Sequence, residues 1–223
     1  MTESHDAPPH ERPRAGEESG PALERLLFFS DAVFAIALTL LALELPVPEG
    51  DSDRALWQSF LDHLDREYLT FLISFLVISR FWMVHHAFFA RAVAADRRLI
   101  QLNLVYLLWI VLLPFATKVL GDDGGYTFGT TVYAATVALV GITFGATAWY
   151  CARAGLVAGA ANRIAGTGSL VVAGVFLLSI PIAFWRPGAA QYFWLVLVLA
   201  VPATGRLGRR GAPTPGSPEP TTK

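Results

Sequence analysis

Six runs of about 19–24 residues, almost free of charge, follow one another through the chain. They are Leu26–Leu45, Tyr68–Phe89, Leu99–Leu120, Thr127–Tyr150, Ile164–Trp185 and Ala189–Leu207. At helical rise each is long enough to cross a hydrocarbon layer of about 30 Å. Lipid offers no hydrogen bonds to an exposed backbone, so such runs fold as helices that satisfy themselves. The expected fold class is therefore all-α, a membrane protein with six transmembrane helices per subunit. Only 16% of the residues are charged, against about 25% in an ordinary soluble domain. The net charge of −1 gives no electrostatic case for nucleic acid as a partner. The single cysteine, Cys151, excludes an intrachain disulfide and a cysteine metal cluster.

Residues 1–20 and 208–223 are polar and rich in proline, and read as disordered tails around a membrane domain at 21–207. No apolar leader is legible in residues 1–20. Pro114, Pro181 and Pro202 fall inside runs and imply kinks. Leu45-Pro46-Val47-Pro48 ends the first run. Residues 51–66 place Leu56, Trp57, Phe60, Leu61 and Leu64 at amphipathic spacing, as in a short helix lying at the outer interface.

Orientation follows from the basic residues. With both termini cytoplasmic, the inner segments hold Arg12, Arg14, Arg25, Arg91, Arg97, Arg98, Arg153, Arg163, Arg206, Arg209, Arg210 and Lys223. The outer loops hold only Arg54, Arg66, Lys118 and Arg186, while Arg80 lies inside the second run. Acid collects outside, at Glu49, Asp51, Asp53, Asp62, Asp65, Glu67, Asp122 and Asp123. It either concentrates cations there or is simply a solvated loop.

Asp31 is a carboxylate inside the first run. A charged group at a helix centre costs about 2.5–3.5 kcal/mol, so it needs a partner or water. Counted from the cytoplasmic ends, Asp31 lies about 9 Å deep, His85 and His86 about 6–9 Å, and Asn103 about 8 Å. These groups share a layer in which the carboxylate accepts while imidazole and amide donate, with Ser30 and Trp82 as further donors. The set serves either as a staple between helices or as a proton relay. With Asp31 at the origin of a helical wheel, Phe29, Val33, Ile36, Leu40 and Leu43 fall at about 120–200°. Asp31 is thus expected on the opposite face, pointing into its own subunit, which favours the staple. Thr39 and Glu44 flank the stripe as candidate pore-edge residues. Thr39 could instead bond back to the carbonyl of residue 35, and Glu44 could be a solvated end-of-span residue.

Arg25-x-x-x-Phe29-Ser30-Asp31 with its apolar continuation resembles the first-helix signature of the transmembrane-protein-175 potassium channel family. Ser74-Phe75 with Trp82-Met-Val-His85-His86-Ala-Phe-Phe89 resembles the family's second helix, and Asn103 with Leu113-Pro114-Phe115 its third. The resemblance implies the single-repeat bacterial form: a homotetramer in the plasma membrane, with helix one lining a central pore. It implies Ile36, Leu40 and Leu43 as the apolar constriction. It also implies a packing network of Arg25, Ser30, Asp31, Trp82, His85 or His86, and Asn103. Potassium would pass in preference to sodium as the permeant ion, with no cofactor, no resident metal and no enzymatic activity. The partners are then further copies of the chain, monovalent cations and the bilayer. A proton-coupled secondary transporter using Asp31 with His85 or His86 is the alternative. A membrane enzyme is disfavoured, because two histidines and one aspartate are too few for a di-metal site and no Gly-x-Ser-x-Gly is present.

Overall fold

A computed structural model describes residues 19–123, 126–157 and 161–186, together with 189, 190 and 194. The described residues form six α-helices: α1 (Ser19–Leu43), α2 (Asp53–Asp62), α3 (Leu69–Phe89), α4 (Arg97–Asp123), α5 (Thr127–Ala154) and α6 (Ala161–Trp185). A single π turn, Leu64–Tyr68, joins α2 to α3. Five of the helices, all but α2, are long and apolar enough to cross a membrane. Most of the sixth expected span, Pro202 and most of both expected tails lie outside the described residues. Of that span Ala189, Ala190 and Trp194 are described, and Trp194 is buried against α6: its ring stacks on Phe176 at 5.1 Å and its Nε1 donates to Ser179 Oγ at 2.8 Å.

The boundaries differ from the sequence expectation where local hydrogen bonding decides them. Helix α1 begins at Ser19, inside the stretch expected to be a tail, and ends at Leu43 rather than Leu45. Ahead of Pro46 the chain tightens, with Glu44 N donating to Leu41 O and Leu45 N to Ala42 O. Asp96 caps α4 by accepting from Leu99 N at 2.7 Å, and its other oxygen accepts from Tyr150 OH on α5. Helix α5 ends at Gly155, whose φ of 68° is the left-handed conformation that suits glycine. Helices α4 and α6 continue through Pro114 and Pro181. The amphipathic segment is α2, capped by Ser52 Oγ on Ala55 N and exposing Trp57 and Leu61.

Helix α5 is the hub. It packs along α4 on one side and α6 on the other, and its buried residues run from Gly129 to Cys151. Gly141 and Gly145, one turn apart, let α6 approach closely: a Cβ on Gly141 would meet Ser169 O at 2.6 Å, and one on Gly145 would meet Leu170 at 2.8 Å. Helix α1 instead packs on one side only, against α3 and α4. Its inward residues are Leu26, Ser30, Phe34, Ala37 and Leu41, at the i, i+4, i+7 spacing of a single helical face.

Candidate functional site

The inner layer of polar groups resolves into two separate hydrogen-bonded sets. In the first, Asn103 on α4 donates through Nδ2 to Ser30 Oγ on α1 at 2.9 Å. Its Oδ1 lies 2.9 Å from His85 Nε2 on α3. Ser30 Oγ passes its own proton back to Leu26 O at 2.8 Å. All three side chains are buried to within 1% of complete enclosure. His85 also sits in a box of rings: Tyr106 is stacked on it nearly parallel at 5.5 Å, Phe89 lies at 4.4 Å, and Phe34 closes the α1 side at 5.6 Å. Since the amide oxygen accepts from Nε2, Nδ1 is left an acceptor, and it has no hydrogen-bond partner among the described residues.

In the second set, Trp82 Nε1 donates to Asp31 Oδ1 at 2.9 Å, and His86 stacks on the Trp82 ring at 5.4 Å. Asp31 is only half-buried, and Trp82 is 37% exposed. Asp31 thus reaches α3 through Trp82, but the expectation that His85, His86 and Asn103 donate to it is corrected: the carboxylate bonds to neither histidine nor to the amide. It stands at the flank between the packed and open faces of α1, because Ser30, one residue earlier, holds the inward position. Arg25 departs from the implied network as well. It is exposed and makes no hydrogen bond or ion pair among the described residues.

The apolar stripe is the open face of α1. Phe29 is 51% exposed, Ile36 57%, Leu40 39% and Leu43 78%, while Val33 is half-buried. Thr39 shares this open side and donates to Ile36 O at 2.8 Å, one residue nearer than the carbonyl of residue 35. Beyond the helix end Glu44 turns to α4, where its Oε2 meets Lys118 Nζ at 2.7 Å. It is thus an ion-paired residue, not a freely solvated one.

Some positioning contacts escaped the sequence reading. Ser74 Oγ on α3 donates to Tyr133 OH on α5 at 3.1 Å and accepts from Thr117 Oγ1 on α4 at 2.9 Å, tying three helices toward their outer ends. A Ser or Thr in a membrane helix usually bonds its own backbone, so sequence offered no signal for this triad. Tyr106 was findable, because three residues after Asn103 it lies on the same face of α4.

The surroundings of this site recur in known proteins. Residues 25–114 match the family described as the endosomal/lysosomal potassium channel TMEM175. A protein of Streptomyces collinus named as a potassium channel is 35% identical over 135 residues, covering 59% of this chain and 65% of that relative. The human protein named as the endosomal/lysosomal proton channel TMEM175 is 25% identical over 137 residues, covering 61% of this chain and 27% of its own length. The matches span about half to two thirds of the bacterial relatives. In three dimensions, the crystal structure of a TMEM175 homologue from Chamaesiphon minutus, described as a lysosomal potassium-selective channel homologue, superposes with a TM-score of 0.71 at 25% identity. That match covers 86% of this chain and the whole of the other. A second crystal structure, of the potassium channel MtTMEM175, has a TM-score of 0.57 at 20% identity and agrees in fold.

Proposed function

The chain is a relative of the TMEM175 channels, and from that premise we propose that it is one subunit of a homotetrameric, potassium-permeable channel of a bacterial plasma membrane. Both termini are cytoplasmic in this reading, and the open face of α1 lines the central pore. The observation that carries it is the one-sided packing of α1. A membrane helix anchored on one face by buried polar bonds leaves Ile36, Leu40 and Leu43 in a row on the other. Arg80 supports an assembly too. It is exposed near the middle of α3, and a lone guanidinium at that depth is costly unless protein or water surrounds it.

Four copies of the stripe facing one axis would form stacked apolar rings. Such rings raise a barrier by dewetting when narrow. An ion crossing them sheds part of its hydration shell, which costs the more weakly hydrated potassium less than sodium. The pore therefore passes potassium in preference to sodium, down its gradient. A potential of 100 mV supplies about 2.3 kcal/mol per charge. The proton-coupled transporter is disfavoured because Asp31 and His85 belong to different hydrogen-bonded sets, with His85 closed in by rings, and because His86 stacks on Trp82 without a hydrogen bond to Asp31 among the described residues. The proteins this chain resembles are ion channels and not enzymes.

The test is potassium flux into liposomes carrying the purified protein under an outward potassium gradient. Uptake of a tracer that depends on the gradient is expected. A tetramer that passes no potassium, or that accumulates substrate uphill under a pH gradient, contradicts the proposal.

A further inference from the structure

The stripe on α1 ends at Leu43, and the next residue carries the fixed charge nearest to it in sequence, Glu44. That charge is not free. Lys118, in the outer part of α4, holds Glu44 Oε2 at 2.7 Å, and the two side chains are 52% and 32% exposed. Lys118 stands in an otherwise acidic region: Glu67, Asp122 and the backbone of Gly121 line the same small cleft, together with Thr70 and Thr117. Exposed ion pairs contribute little to stability. Two other contacts already tie the end of α1 into the subunit: Tyr68 OH donates to Pro46 O at 3.1 Å, and Leu41 is buried. The pair is therefore hard to explain as a staple, whereas its effect on the local field is unavoidable. An unpaired carboxylate at this position would draw cations to the outer end of the stripe, and a neutralised one does not.

We propose that Lys118 sets the cation-attracting strength of the outer mouth by neutralising Glu44, and so limits how fast cations enter from outside. The inference rests on the channel reading with α1 at the axis. Entry is the step affected, so the effect is on conductance at low salt and not on the preference for potassium over sodium, which belongs to the apolar rings. It fades as salt rises, because the screening length falls from about 30 Å at 0.01 M to about 3 Å at 1 M.

The experiment is single-channel recording from reconstituted wild type, Lys118→Gln, Glu44→Gln and the charge swap Glu44→Lys with Lys118→Glu, in dilute and concentrated potassium chloride. In dilute salt Lys118→Gln is expected to raise inward current about twofold or more, as one freed charge per subunit near the path would do. Glu44→Gln, which leaves the lysine unpaired, is expected to lower it. The charge swap returns toward wild type, and the differences shrink in concentrated salt. A pair that merely braces the helix would lose current and yield in both single variants alike, and that result overturns the proposal. So does equal current in all four proteins. Should Lys118→Gln fail to assemble, Lys118→Cys treated from outside with positively or negatively charged thiol reagents gives the same comparison in an assembled channel, and equal current after either reagent overturns the proposal. Absence of current in the wild type itself would count against the channel reading instead.

Discussion

Asn103 is the residue on which the inner end of α1 depends. One amide gives its hydrogen to Ser30 and takes one from His85, so α1, α3 and α4 meet through a single buried side chain. Removing it leaves the enclosed His85 Nε2 without its partner, while Ser30 keeps only its bond to Leu26 O, and an unsatisfied buried group costs about 1–3 kcal/mol. Asn103→Leu is accordingly expected to lower the melting temperature in detergent and the yield of assembled protein, although leucine is the more lipophilic residue. An unchanged melting curve would show the network to be dispensable. Asp31 behaves differently because among the described residues its bond comes from Trp82, at a half-open flank. Asp31→Asn keeps an acceptor for the indole and is expected to assemble normally. Asp31→Ala loses that acceptor and is expected to reduce oligomer yield while leaving ion preference unchanged, as read by size-exclusion chromatography and bi-ionic recording. Altered preference with normal assembly would return Asp31 to the ion path.

At the scale of helices, much was legible because lipid leaves few options for a 20-residue apolar run. The starts and stops shifted where a specific contact took over: Asp96 capping α4, Gly155 turning the chain after α5, the tightened turn before Pro46. The depth of Asn103 and His85 could be counted from the helix ends, and the structure joins them. What could not be counted was rotation about each helix. The wheel set Asp31 opposite the stripe, but Ser30, one residue and 100° away, took the buried position and left the acid on the flank. Hydrophobic patterning also says nothing about which apolar helices touch, so the seam of α5 against α6 through Gly141 and Gly145 appears only in three dimensions. Gly141→Val places a branched side chain where even a Cβ would lie 2.6 Å from Ser169 O. Overpacking of this kind costs about 1–3 kcal/mol. The expected outcome is a less stable protein whose surviving channels conduct normally, since the seam lies away from α1.

Taken whole, the protomer packs α3, α4, α5 and α6 together and carries α1 on one edge, against α3 and α4. Polar bonds fix α1 near its inner end, at Ser30 and Asp31, and Tyr68 holds Pro46 just beyond its outer end, while its middle shows Ile36 and Leu40 to whatever lies beyond the protomer. A single copy leaves that face incomplete. In the proposed ring of four it would become a wall of side chains whose size sets the width of the path. The most direct measurement is the reversal potential between potassium on one side and sodium on the other, in bilayers containing wild type or Ile36→Ala. Trimming the ring should raise conductance about twofold or more and move the reversal potential toward zero, because a wider ring strips less water. An assembled Ile36→Ala channel with unchanged conductance and reversal potential would contradict the placement of α1 at the pore.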